Sequence, residues 1–228
     1  MGLSTKELGG TSGAGIPKTI VPGNHRLKIY SVELEPFSFI ENAYHLVFRV
    51  ETEPLEDFEG FFIDKENESL GRHAGQVGKV RASMYAFSDG VTKTGIKIDR
   101  DRNIMIALKT LSNNLGISEW FESQDNLHNT IEDFVEAFNK TAPYQNIYLD
   151  FCIAGKEYLD KNGYIGYNLY LPKGEKNKYA YGSIKDGKVM TYNESVHLKK
   201  HVAEEVKNFE DTDDLSIPKK ASIDFDLD

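Results

Sequence analysis

The chain has 228 residues, of which 39 % are hydrophobic, enough for one large core with some segments left outside it. No apolar run approaches the roughly 18–20 residues that cross a bilayer, and a single cysteine, Cys152, excludes a disulfide framework and multi-thiolate metal sites. The formal net charge is −9, but residues 204–228 alone hold nine acidic and three basic side chains. The acidic balance therefore does not exclude a nucleic-acid partner.

Residues 1–22 are predicted to form a flexible arm, because they are rich in glycine, serine, threonine and proline. Residues 10–19 partly match a phosphate-binding loop, but two residues separate the last glycine from Lys18, whereas the true loop has the lysine directly after that glycine. Residues 1–15 lack the basic and apolar regions of a signal peptide. We therefore expect an intracellular protein without a phosphate-binding loop of this type.

From residue 23 onward, apolar residues alternate with polar ones, which is typical of half-buried strands. The first strand slips in phase at Ser31, which predicts a bulge. The pattern then predicts a second strand at 44–50, a short aromatic piece of sheet at 58–63, and a further strand at 78–85.

The apolar spacing becomes helical over about residues 101–142. A first helix is predicted to run up to Leu115, and Gly116 stands where a C-terminal cap belongs. A second helix is predicted from Leu127 to Phe138, ahead of Pro143.

Two more strands are predicted at 147–153 and 165–171, with a turn at Gly163 between them, and residues 194–207 indicate a final short helix. Strands, a helical insert and two further strands are the order of an OB-like five-stranded Greek-key barrel.

The predicted fold class is thus α+β, mainly β. The barrel spans residues 23–203, and the helical insert, about 101–142, lies between strands three and four. A different α+β fold is the alternative. A doubly wound nucleotide-binding sheet is disfavoured, because strands and helices do not alternate repeatedly.

The residues that could support catalysis or metal binding do not converge on one site in the sequence. Asp99 and Asp101 have the spacing of a D-x-D pair that holds divalent cations, but they precede a helix whose first turn favours acids. His197 and His201 are four residues apart without an acidic or cysteine partner, and we expect them on a solvated face. Cys152 is expected to be a packed thiol. We expect no enzymatic activity, metal or cofactor.

Aromatic and basic residues predict a surface for single-stranded nucleic acid, because bases stack on aromatic rings while cations contact phosphates. Tyr164 and Tyr170 share a face of the last strand with Asn168, opposite the predicted core, so their loss should leave folding intact. The predicted nucleic-acid-binding residues are Lys79, Arg81, Tyr85, Tyr164, Tyr170, Lys173, Lys176 and Lys178. The alternative is a structural or glycan-binding module, in which the rings stack on sugars.

Residues 204–228 are predicted to form a disordered acidic tail. Acidic and apolar residues alternate at its end, and the predicted partner-binding residues are Asp224, Phe225, Asp226, Leu227 and Asp228. Such a peptide can anchor in a basic, apolar-lined pocket of another protein. Its charges also mimic phosphates, so that it competes for a basic groove on the chain itself. The arrangement resembles the ends of bacterial and phage single-stranded DNA-binding proteins.

Four segments carry a more specific resemblance: GNHRLKI at 23–29, YHLVFRVETEP at 44–54, FEGFFID at 58–64 and LGR at 70–72. They are similar to predicted single-stranded DNA-binding proteins of crAss-like bacteriophages, whose hosts are gut Bacteroides-type bacteria, and the likeness spans roughly residues 20–175.

The resemblance implies an OB-type fold and a role in phage DNA replication or recombination in the cytoplasm of the infected bacterium. It implies single-stranded DNA as ligand and, through the tail, a replication partner such as a polymerase, primase or helicase. No membrane contact is expected, and the sequence leaves open whether the chain forms a homo-oligomer. With this resemblance, the alternative becomes a phage structural or glycan-binding module.

Overall fold

The computed structural model describes residues 19–54, 60–63, 71–175, 177–182 and 188–201. The strands in these ranges are β1 (Gly23–Pro36), β2 (Tyr44–Thr52), β3 (Gly60–Ile63), β4 (Gly71–Ala74), β5 (Val77–Arg81), β6 (Gly90–Val91), β7 (Lys97–Ile98), β8 (Tyr148–Leu159), β9 (Ile165–Tyr170), β10 (Tyr181–Gly182) and β11 (Leu198–Lys199). The helices are α1 (Arg100–Leu115), α2 (Ser118–Ser123), α3 (Ile131–Thr141) and α4 (Glu194–His197). No helix in these ranges is long and apolar enough to cross a membrane.

Five strands close into a barrel in the order β1-β2-β5-β9-β8, with β8 pairing back onto β1. Four of the five pairings are antiparallel. The fifth, between β5 and β9, is parallel and consists of only two register pairs, Val80 with Leu169 and Arg81 with Tyr170. The protein is therefore mainly β, with a closed five-stranded barrel that is consistent with an OB-like fold.

The bulge predicted in the first strand is confirmed, since the β1–β2 register shifts between Ile29 and Ser31. Asn139 of α3 forms two hydrogen bonds with the backbone just beyond the bulge. Its amide nitrogen donates to the Val32 carbonyl at 2.7 Å, and its Oδ1 accepts from the Val32 N–H at 2.9 Å. The Tyr144 hydroxyl donates to the same Oδ1 at 2.7 Å. The Asn139 side chain of α3 thus satisfies both backbone groups of Val32, just beyond the bulge in β1.

Helices α1, α2 and α3 follow β7 and precede β8 in the chain. Helix α1 begins after Asp99, whose carboxylate accepts from the Arg102 N–H at 2.9 Å, and ends at Gly116, whose φ of 73° favours glycine. The buried faces of α1 and α3 share one hydrophobic cluster with the barrel. Its largest fully buried members include Leu27 and Phe48 from the barrel and Leu108 and Phe138 from the helices.

Several sequence predictions of element limits are wrong. Leu127 is exposed and precedes α3, which begins at Ile131 after the Thr130 cap. The strand predicted at 78–85 ends at Arg81. The final helix predicted at 194–207 is only one turn long, because the chain pairs with β8 as β11 directly after His197; residues 202–207 lie outside the described ranges. The short strands β4, β6 and β7 were not predicted.

The last residues of the predicted flexible arm are packed against the barrel. The Ile20 N–H donates to the Val77 carbonyl at 3.2 Å, and the Ile20 side chain is buried in the core against Gly78. Pro22 covers Gly155 of β8. Residues 19–22 therefore belong to the fold, while residues 1–18 lie outside the described ranges.

Asn24 ties the beginning of β1 to the segment beyond β10. Its amide nitrogen donates to the Met190 carbonyl at 2.9 Å. Its Oδ1 accepts from the Tyr192 N–H at 2.6 Å. This one side chain therefore joins positions that are 168 residues apart.

We expect Gly155→Ala to lower the free energy of unfolding by about 1–3 kcal/mol, the usual cost of overpacking a core. A Cβ at this position would lie 2.4 Å from Cγ of the rigid Pro22 ring. Urea unfolding measures the effect. Gly90→Ala is the matched control, because its Cβ would meet nothing closer than 4.0 Å. Equal stability of the two variants would contradict this packing.

Candidate nucleic-acid interface

A cleft of about 480 Å³ lies on the outer surface of the barrel, where the β1–β2 loop faces β5 and β9. We call it the first cleft. Arg81 and Tyr170, which are register partners, lie on its floor. Their chain neighbours Val80 and Leu169 belong to the core. Because side chains alternate along a strand, Arg81 and Tyr170 point outward.

One wall of the first cleft is an excursion of the chain after β5. The Ala82 N–H donates to the Leu46 carbonyl at 2.8 Å, and Phe87 exchanges two backbone bonds with Tyr44 at 2.7 and 2.9 Å. Between these two pairings, the β2 side has only one residue, His45, whereas the other side has four, residues 83–86. Regular alternation ends at Arg81, so Met84 and Tyr85 both line the cleft, although the sequence pattern placed them on opposite faces.

Two tyrosines of the first cleft differ sharply in exposure. Tyr85 is 72 % exposed, whereas Tyr170 is only 8 % exposed. Burial raises the pKa of Tyr170, with a smaller contribution from Tyr85. The expectation that Tyr170 could be lost without harm to folding is therefore wrong: it lies on the outer face, but the cleft walls cover it. Tyr85 is the accessible ring.

The cations of the first cleft are Arg81, Lys156 and Lys199. Lys156 of β8 and Lys199 of β11 are register partners, and like charges opposite each other destabilise a sheet. Among the described residues, no carboxylate lies within ion-pair distance of any of the three, and no described Asp or Glu lines the cleft. The arrangement leaves positive charge for an anion to neutralise.

His45 borders the same cleft and is 5 % exposed. Its ring meets the edge of Phe37 at a centroid distance of 5.1 Å. Its Nδ1 is buried without a hydrogen-bond partner among the described residues. Burial is the main cause that lowers the pKa of His45, and the positive charge of Arg81 lowers it further, so the ring is neutral at pH 7.

Lys79 lies two residues before Arg81 and is engaged by an acid. Its ammonium group contacts the Glu35 carboxylate. On the same outer surface, Arg49 donates to both carboxylate oxygens of Glu33, from Nε to Oε1 and from Nη2 to Oε2, each at 3.0 Å. The charge on this part of the barrel is internally paired, in contrast to the first cleft. Lys79 becomes available to another anion only when Glu35 releases it.

The remaining predicted residues are not brought into the first cleft. Lys173 borders a separate cavity of about 390 Å³ beside α1. Lys178 is exposed, and its backbone pairs with that of Glu175. Tyr164 lies in the β8–β9 turn, exposed, with its N–H bonded to Asp160 Oδ1 at 2.8 Å. Lys176 and the predicted partner-binding residues 224–228 lie outside the described ranges.

The acidic and histidine residues that could have supported catalysis form hydrogen bonds within the fold. Asp99 caps α1, and the Asp101 carboxylate accepts from Arg100 Nε at 2.6 Å. The expectation of a solvated His197 is wrong: His197 is buried, and its Nδ1 accepts from the Asn193 N–H at 2.9 Å. No group of three or more potential metal ligands occurs among the described residues.

Cys152 lies 3.9 Å from His197, between its Sγ and the ring Nδ1. Burial raises the pKa of the Cys152 thiol to about 12. Since the thiolate is the reactive form, this thiol is unreactive at pH 7.

Comparison with known proteins gives no relative from which a role could be transferred: no family model, no curated protein and no solved structure matches the chain. The first cleft, with an accessible tyrosine, a buried tyrosine and three cations that no described carboxylate neutralises, is the feature on which a function can be argued.

Proposed function

We propose that the chain is a sequence-tolerant single-stranded DNA-binding protein that acts in phage DNA replication or recombination, by binding and without catalysis. The observation that carries the proposal is the composition of the first cleft, where Tyr85 and Tyr170 stand beside Arg81, Lys156 and Lys199. Aromatic platforms and a cationic groove are what a single strand requires, because bases stack on the rings and phosphates contact the cations.

The position of the cleft on the barrel supports the proposal. In an OB fold, strands two and three and the loops between strands one and two and between four and five hold oligonucleotides. Counted along the chain, the second and third barrel strands are β2 and β5, and the two loops are residues 37–43 and 160–164, with exposed Phe39 and Tyr164. The three helices between the third and fourth barrel strands are then the insert of an OB-like domain.

The proposed roles follow from exposure and charge. Tyr85 stacks on a base above the Tyr170 floor, while Arg81, Lys156 and Lys199 neutralise phosphates. Lys79 joins them once Glu35 is displaced. Tyr164, in the β8–β9 loop, is proposed to stack on a further base. The further proposed phosphate contacts are Lys173, Lys176 and Lys178.

The acidic tail, 204–228, is proposed to recruit a replication protein such as a polymerase, primase or helicase in the cytoplasm of the infected bacterium. Residues 224–228 would provide the anchor. Lys199, which lines the first cleft, precedes the tail by only five residues. The tail is therefore tethered by a short segment to the cations for which it would compete.

A glycan-binding or structural module remains the alternative, since aromatic rings also stack on sugars. Neutral sugars give no reason for two lysines as register partners without a described carboxylate within ion-pair distance. The cations of the first cleft therefore favour a polyanion.

Salt dependence tests the proposal. If Arg81, Lys156 and Lys199 each neutralise one phosphate, the logarithm of oligo-dT affinity should fall with the logarithm of salt concentration at a slope of about −2, or about −0.7 per phosphate. Fluorescence anisotropy measures it. Arg81→Gln should reduce the slope by about 0.7, whereas Lys140→Gln, an exposed lysine on α3, should leave it unchanged.

Three results would contradict the proposal. One is the absence of binding to oligo-dT, and another is an affinity for oligo-dT that does not change with salt. The third is tighter binding to a duplex of equal length than to the single strand, because stacking platforms need unpaired bases.

A further inference from the structure

A second cleft, of about 460 Å³, adjoins the first along the seam between β5 and β9. It shares Arg81 and Asn168 with the first cleft and is also lined by Lys79, Tyr158 and Tyr167. Lys79 contacts Glu35 and Tyr167 packs against the core, so Arg81 and Tyr158 are the cation and the ring that this cleft offers to a ligand. The two clefts adjoin at Arg81 and Asn168, and together they are called the channel.

The parallel seam explains why the channel exists. β5 and β9 pair at only two positions, both at their C-terminal ends. Toward their N-terminal ends the strands have no further register pairs with each other. Ile20 fills the opening from the core side: it lines the second cleft, is buried, and packs on Gly78. The gap between β5 and β9 is thus closed by apolar side chains on the core side and open on the outer side of the barrel.

Tyr158 is held as a flat platform in the second cleft. It is the register partner of Gly166 across β8 and β9. A Cβ added to Gly166 would lie 2.6 Å from Cζ of Tyr158, so the ring lies across the β9 backbone where a side chain would otherwise be. Alternation places Tyr158 on the same outer face as Lys156. The ring is partly exposed, which leaves a surface for stacking.

The two platforms lie along one strand. Gly166, beneath Tyr158, and Tyr170, in the first cleft, are four residues apart on β9, which corresponds to about 13 Å at roughly 3.3 Å per residue. Asn168 lies between them, and Arg81, which is level with Tyr170 on the neighbouring strand, lines both clefts. An amide and a guanidinium are therefore available to the backbone that joins the two base sites.

We infer that the second cleft is a second nucleotide subsite, with Tyr158 as its base platform and Arg81 as the phosphate contact between the two subsites. A bound single strand then runs along the β5–β9 seam, parallel to the barrel strands at this point. The inference rests on the proposed function, because it extends the same interface.

A length series of oligo-dT tests the second subsite. For the unaltered protein, affinity should rise steeply between dT3, which fills one cleft, and dT10, which reaches both. Tyr158→Leu should weaken dT10 binding by about 5-fold to 150-fold, the range for loss of one stacked base, and leave dT3 binding unchanged. Tyr158→Phe, which keeps the ring, should bind both like the unaltered protein.

Gly166→Ala provides a second variant that retains every aromatic residue. Its new Cβ displaces the Tyr158 ring, so the same length-dependent loss is expected. Tyr30→Leu, an exposed tyrosine at the β1 bulge, controls for loss of a surface ring. Thermal unfolding of each variant tests whether the barrel remains folded.

The outcomes separate the two proposals. If the unaltered protein binds neither oligonucleotide, the proposed function fails. If it binds both and Tyr158→Leu binds dT10 normally, the second subsite is overturned and the function stands. Equal losses for dT3 and dT10 also overturn it, because Tyr158 would then belong to the first site.

Discussion

Tyr85→Ala is expected to weaken oligo-dT binding by about 1–3 kcal/mol, the usual contribution of a stacked base, while the free energy of unfolding changes little. Tyr85 is 72 % exposed and stands on the excursion at 83–86, outside the barrel pairing. Its ring therefore contributes little to the core and is free to stack. Fluorescence anisotropy with dT10 and urea unfolding measure the two quantities on the same preparation.

Tyr170→Ala is the informative contrast. Because Tyr170 is 8 % exposed, its loss should reduce both affinity and stability. Tyr85→Phe should retain affinity, since it keeps the ring. Tyr30→Ala removes a ring that is 48 % exposed and lies at the β1 bulge, outside both clefts, and should change affinity little. If Tyr85→Ala binds normally while Tyr30→Ala does not, the DNA surface lies on another side of the barrel.

Deletion of residues 210–228 is expected to tighten single-stranded DNA binding at low salt. The deletion removes seven acidic and two basic residues, so the chain becomes more positive by five charges. The removed acids would otherwise compete with phosphates for Arg81, Lys156 and Lys199. Because salt shortens the range of charge interactions, to about 10 Å at 0.1 M, the gain in affinity should shrink as salt rises.

Phe225→Ala separates the two proposed roles of the tail. It keeps every charge, so DNA affinity should remain that of the full chain, while association with a replication protein such as a polymerase, primase or helicase should weaken. Anisotropy titrations at low and moderate salt measure the first quantity, and co-purification with candidate phage proteins measures the second. A truncated chain with unchanged DNA affinity at low salt would rule out competition by the tail.

Local patterns in the sequence predicted much of the barrel. A bulge leaves a slip in side-chain alternation, so the irregularity at Ser31 could be recognised without knowledge of the partner strand. The cap at Gly116 could be recognised because glycine stands directly after a run of helical spacing. Leu127 misled the prediction since it continues the apolar spacing of α3, whereas Thr130, a good N-cap, begins that helix.

The first cleft was only partly predictable, because its residues come from elements far apart in the chain. Lys156 could have been found by extending the alternation of 147–153, which puts it on the outer face of β8. Lys199 could not, since its place depends on a two-residue strand that pairs with β8. Lys173 was misleading: it follows Tyr170 closely in sequence, but the chain turns toward α1 after β9.

The bonds made by Asn24 have a consequence for the order of events during synthesis. β1 emerges from the ribosome early, yet its partner residues in β8 and the acceptor and donor at Met190 and Tyr192 come 120 or more residues later. Until then one edge of the nascent sheet has no partner, and such edges invite pairing between chains. Contacts this distant also slow folding. The chain must therefore be made at least to the end of β9, at Tyr170, before the barrel can close, and the early β1–β2 hairpin is the part that a chaperone would have to shield.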